Sequence, residues 1–101
     1  MGIRIQLEDE SGNSEGELLI DAFLFRVIPP VSDASYACLR FIDPYGDTIF
    51  NRLQIPVFIE ELNCLAGTAE TKEEKHFLKE LLKLAQKCRD EPHFYLRFIG
   101  D

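Results

Sequence analysis

Residues 39–51, Leu-Arg-Phe-Ile-Asp-Pro-Tyr-Gly-Asp-Thr-Ile-Phe-Asn, constrain the fold more than any other stretch of the chain. They read as two short apolar strands around a turn. Asp43 offers an acceptor to the turn backbone, Pro44 fixes φ at about −65°, and Gly46 tolerates positive φ. That order predicts a type I turn closed by a glycine bulge. The first strand of this hairpin, Leu39-Arg40-Phe41-Ile42, is echoed by Leu96-Arg97-Phe98-Ile99 near the other end of the sequence. A sheet built on these segments is the frame against which the remaining residues must pack.

In chain order, Ile3, Ile5 and Leu7 alternate with Arg4 and Gln6, the period of a half-buried strand. Residues 8–16 are acidic and glycine-containing, which predicts a solvated loop. Residues 17–28 hold the densest apolar run, with neither alternate face polar, and read as a strand buried on both sides and stopped by Pro29-Pro30. Residues 35–42 are the next strand, leading into the hairpin. Phe58, Ile59, Leu62, Leu65 and Ala66 recur at helical spacing behind Pro56, with Gly67 as the expected left-handed stop. Thr71-Lys72-Glu73-Glu74 is a capping box, and the helix it opens runs to about Arg89. Its Phe77, Leu78, Leu81, Leu84, Ala85 and Cys88 form one apolar stripe. Asp90-Glu91-Pro92 ends it, and residues 93–99 are the last strand. The predicted order is β-β-β-β-α-α-β. This is a single α+β domain over residues 1–101: one largely antiparallel sheet of about five strands, with two helices packed on one face.

Composition narrows the function classes. The chain has 101 residues, of which 46 % are apolar, enough to form a core rather than a disordered segment. A net charge of −7 argues against a phosphate backbone as the main partner. All five lysines lie on the last helix, at 72, 75, 79, 83 and 87, but acids of the same helix balance them and no aromatic is interleaved for base stacking. The face reads as solvated. The opening Met1-Gly2-Ile3-Arg4 lacks the apolar core of a signal peptide, and no apolar run is long enough to cross a bilayer. Cys38, Cys64 and Cys88 are odd in number and lack metal-site spacing. Reduced thiols in the cytoplasm are the expectation.

No catalytic, cofactor-binding or metal-ligating set emerges. Neither His76 nor His93 has a sequence-identifiable nucleophile to serve, and phosphate-loop and dinucleotide fingerprints are missing. Asp43 and Asp47 bracket the turn, where two carboxylates are fewer than a calcium loop supplies; turn chemistry accounts for both acids, and Asp47 can also pair with an arginine across the sheet.

The sheet face away from the helices carries the interaction reading. With Leu39, Phe41, Phe94, Leu96 and Phe98 facing the helices, alternation turns Tyr36, Cys38, Arg40, Ile42, Tyr95, Arg97 and Ile99 outward. Tyr, Ile and Arg are enriched in protein interfaces. The expected function is therefore that of a small acidic interaction module that binds a protein partner or a second copy of itself. Tyr36, Arg40, Tyr95 and Arg97 would make the contacts, and the Glu8–Glu17 acidic loop with Asp21, Asp33, Asp43 and Asp47 would steer a basic partner. In size, acidity and α+β make-up such a chain resembles bacterial immunity or antitoxin proteins, a likeness of type that rests on no motif. The alternative is a small-ligand-binding protein or minor enzyme, with a pocket between sheet and helices near the Asp43–Asp47 hairpin that uses Arg40, Tyr45, Arg97 or His93.

Overall fold

The structure, a computed structural model, describes residues 2–100. It is α+β: one antiparallel sheet of four strands with two main helices on one face, one strand fewer than the pattern predicted. The strands are β1 (Gly2–Glu8), β2 (Ser14–Asp21), β3 (Asp47–Phe50) and β4 (Tyr95–Ile99). Their order across the sheet is β2-β1-β4-β3. The helices are a single short turn, α1 (Ala22–Phe25), and the two long ones, α2 (Ile55–Ala66) and α3 (Lys72–Asp90).

The β1–β2 connection is tighter than the solvated loop expected for residues 8–16. Asp9 builds it: its Oδ1 accepts the amides of Ser11 and Asn13, each at 2.9 Å. Gly12 takes φ +84°, a region L side chains avoid.

The apolar run 17–28 is not one doubly buried strand. Asp21, the acid within it, takes an extended conformation and accepts the Leu24 amide at 2.9 Å, capping α1 and ending the strand. Upstream, β2 is an edge strand that buries Ile20 and leaves Leu19 exposed.

Residues 35–42 are not a strand either. Leu39–Phe41 form a single 3-10 turn, with Cys38, Leu39 and Ile42 buried and Phe41 exposed. The hairpin on 39–51 therefore exists only as its turn and second strand. Within the turn, the Tyr45 amide donates to Asp43 Oδ1 at 2.9 Å, and the Asp43 amide donates to Thr48 Oγ1 at 2.9 Å. Gly46 has no positive φ, so the expected glycine bulge does not form. Strand β3 instead pairs with β4, and the Gly100 amide donates to the Gly46 carbonyl at 2.8 Å. A Cβ at Gly100 would lie 2.5 Å from the Pro44 carbonyl oxygen, so only glycine permits this closure.

Helix α2 starts at Ile55 with Pro56 in its first turn, as the sequence indicated. Asn51 prepares that start: its Oδ1 accepts the Leu53 and Gln54 amides at 2.9 and 3.2 Å, and Gln54 Oε1 accepts the Asn51 amide at 2.9 Å. Gly67 ends α2 with right-handed rather than left-handed geometry. The capping box of α3 forms as predicted. Thr71 Oγ1 accepts the Glu74 amide at 3.1 Å, and Glu74 Oε1 accepts the Thr71 amide at 3.2 Å and that of Glu70 at 3.0 Å. These amide bonds hold the Glu74 carboxyl below the usual carboxylate range, with the nearby Arg26 guanidinium adding to the effect.

The core lies between the sheet and the two long helices. At its centre Phe50 of β3, Phe58 of α2 and Phe98 of β4 meet with centroids 5.1 to 5.9 Å apart, Phe50 standing edge-on to Phe98. Ile5, Leu7, Leu96, Leu62 and Leu81 are buried around them.

Candidate interaction surface

Strand alternation places Tyr95, Arg97 and Ile99 on the side of β4 opposite the buried Leu96 and Phe98, as the sequence predicted. The same alternation sets Arg4, Gln6 and Glu8 outward on β1, Glu17 and Leu19 on β2, and Asp47 and Ile49 on β3. Pairing arranges these residues in rows: Leu19, Arg4, Ile99 and Asp47 across one, and Glu17, Gln6, Arg97 and Ile49 across the next.

Arg97 sits at the middle of this face and ties three strands together. Its Nη2 donates to Asp47 Oδ2 at 2.6 Å on β3, and its Nη1 donates to Glu8 Oε1 at 3.4 Å on β1. The Asp47 bond, then the Glu8 bond, raises the pKa of the guanidinium. The expected cross-sheet role of Asp47 is thus realised with Arg97. Arg97 Nε is shielded from solvent with no hydrogen-bond partner. Farther along, Arg4 Nε lies 3.4 Å from Glu17 Oε1. Between the ion pairs stand apolar groups open to solvent: Leu19 is 67 % exposed, Ile49 54 % and Tyr95 38 %. Among the described residues no helix covers this side, since α1, α2 and α3 all pack on the other.

The remaining predicted contact residues lie elsewhere. Because 35–42 is not a strand, Tyr36, Cys38, Arg40 and Ile42 are not on the sheet face. Cys38 and Ile42 are buried in the core, and Phe41, expected inside, is 52 % exposed. Half-buried Tyr36 lies beside Cys64 and Glu61 of α2. Arg40 extends over the Phe41 ring, 4.5 Å from its centroid, in a cleft between residues 25–31 and 40–44. Asp43 lines that cleft, whereas Asp47 is on the sheet face. Of the residues expected around a ligand pocket, only Arg40 lines the cleft. Tyr45 projects from the turn into solvent, and His93, at φ 71°, pairs with Glu10 at 2.6 Å on the surface.

One organising residue went unread in the sequence. Glu61 of α2 accepts the amides of Ala37, of Cys38 at 3.0 Å and of Leu39 at 2.9 Å, capping the 3-10 turn from a separate helix. Its only sequence signal is its place beside the Phe58, Leu62 and Leu65 stripe.

The thiols divide by burial. Cys38 and Cys88 are buried and Cys64 is exposed, all three unpaired. Burial pushes the Cys88 thiol up to about 11 and raises that of Cys38, where the Glu61 charge adds to the effect. At about pH 8, where thiolate fraction sets reactivity, iodoacetamide is expected to modify Cys64 alone until the protein is unfolded. Mass spectrometry of the adduct checks this, and rapid labelling of Cys88 in the folded protein would contradict the packing.

Among the described residues no three His, Cys, Asp or Glu side chains converge as a metal-holding group, and no helix is long and apolar enough to cross a membrane. Comparison with known proteins adds no relative: no family model matches the chain, and no curated protein or solved structure is significantly similar to it.

Proposed function

We propose that this protein is a small non-enzymatic interaction module that holds a basic partner protein against its uncovered sheet face. The observation that carries the reading is that face itself: Leu19, Ile49 and Tyr95 stand exposed among the ion pairs of Arg97 with Asp47 and Glu8 and of Arg4 with Glu17, on a sheet whose other side is filled by helices. A paired sheet presents such groups on backbone that is already ordered, which leaves only side-chain ordering to be offset at binding. The charge argues for a basic partner over a second copy, because two chains of net charge −7 repel while a basic surface is drawn in. Masking the basic surface of another protein, as immunity and antitoxin proteins do, is the mode of action that fits. Three free thiols suit the cytoplasm.

The test is the non-denaturing mass of the protein captured gently from its own cells, followed by affinity measurements with whatever it carries. One chain plus one basic protein is expected. Leu19→Lys or Ile49→Lys should weaken that complex by about tenfold or more while shifting the module's own stability by less than about 0.5 kcal/mol, since both positions are exposed. Association should slow as salt rises. A bare monomer overturns the proposal, and so does a homodimer or a complex indifferent to both lysine variants.

A further inference from the structure

The cleft between residues 25–31 and 40–44 has a volume of about 480 Å³, within the range of small-molecule sites. Its walls are mostly apolar, with Phe25, Pro30 and Val31 on one side and Phe41 and Pro44 on the other, and Asp43 also lines it. Two arginines reach it, and they differ. Arg26 is engaged, with Nε 3.5 Å from Glu74 Oε2 and its guanidinium 3.9 Å from the Phe23 centroid. Arg40 makes no ion pair with a described residue, and its guanidinium lies over the Phe41 ring.

Two acids stand near Arg40 without closing an ion pair to it: Asp43, in the same cleft, and Asp33, whose carboxyl is held below its ordinary range first by the Ser35 hydrogen bonds and then by the Arg40 charge. Asp43 Oδ1 accepts the Tyr45 amide at 2.9 Å. Asp33 Oδ1 accepts the Ser35 amide at 3.1 Å and the Ser35 hydroxyl. A largely apolar slot whose Arg40 guanidinium closes no ion pair with a described residue is complementary to a small molecule with a hydrocarbon body and one anionic head. The guanidinium presents a planar fork that matches a carboxylate in two parallel bonds, and the prolines and phenylalanines receive a hydrocarbon body.

We infer that this cleft binds a small apolar monocarboxylate, with Arg40 on the carboxylate and Phe25, Val31 and Phe41 around the hydrocarbon. The site shares no residue with the sheet face, so it stands or falls separately from the partner-binding reading.

The test uses the full chain with decanoate as the probe and decanol as its neutral counterpart, followed by calorimetry and by amide shifts of residues 25–44. Saturable binding of decanoate is expected, with decanol weaker by about ten- to a hundredfold, the loss of a charge-assisted pair. Arg40→Gln should bring decanoate to the level of decanol. Val31→Trp, at an exposed position on the rim, should block both probes without unfolding the chain. Absence of decanoate binding to the folded protein overturns the inference. So does equal affinity for the two probes, binding unchanged by Arg40→Gln, or shifts confined to the sheet face.

Discussion

Phe58→Ala is expected to lower the unfolding free energy by about 3–5 kcal/mol, the range for removing a buried phenyl ring. Phe58 has no exposed surface and touches the rings of Phe50 and Phe98, so its loss empties the point where α2 meets β3 and β4. A chain of this size is stable by only about 5–15 kcal/mol in total, so the variant should stand close to unfolding. Urea titration followed by circular dichroism reads the effect as a lower midpoint with an unchanged slope. Phe58→Leu, which refills part of the volume, should recover some of the loss. A midpoint like that of the parent protein would mean that α2 does not seal the sheet through this ring.

Glu61→Ala should cost about 1.5–3 kcal/mol, the scale for hydrogen bonds to a charged group. Three consecutive amides lose their acceptor, two of them at the half-buried start of the 3-10 turn. Glu60→Ala, one residue away but pointing into solvent, is the control and should change stability by less than about 0.5 kcal/mol. Amide exchange locates the effect: the amides of residues 37–39 should lose protection in Glu61→Ala and keep it in Glu60→Ala. Equal loss in both variants would show that helix content, rather than the carboxylate, fixes this loop. The consequence reaches the cleft, because Arg40 and Phe41 sit on the turn that Glu61 caps.

These two residues also show where the sequence was readable. Strand β1 could be read because Ile3, Ile5 and Leu7 alternate with polar residues, and α3 because Thr71 and Glu74 announce its start and the stripe from Phe77 to Cys88 keeps its period. Both signals are local. The run 17–28 misled because its apolar residues serve two periods in turn: Leu18 and Ile20 face inward on a strand, and then the Asp21 carboxylate switches the chain to helix. Residues 35–42 misled for a different reason. Their apolar content suits a strand, and what folds them otherwise is a carboxylate 22 residues further along the chain, which no local pattern contains. The candidate surface divides in the same way. Tyr95 and Arg97 follow from strand parity, and the Asp47 pairing from an acid set opposite an arginine strand, whereas Tyr36 and Arg40 were assigned through a strand that does not exist.

The strand order β2-β1-β4-β3 also dictates a timetable for folding. The two central strands, β1 and β4, pair residues 4–8 with residues 95–99, so the sheet cannot close until nearly the whole described chain has left the ribosome. The β1–β2 hairpin is available early, but its inner edge must wait through the synthesis of both long helices. Bridging so long a loop is a cost that contacts repay only after closure, which slows folding. In that interval β1 offers an open row of amides and carbonyls beside Ile3, Ile5 and Leu7, a template for wrong pairing between nascent chains. The acidic turn that Asp9 organises sits at the tip of this waiting hairpin and gives each copy a like charge that keeps its neighbours apart.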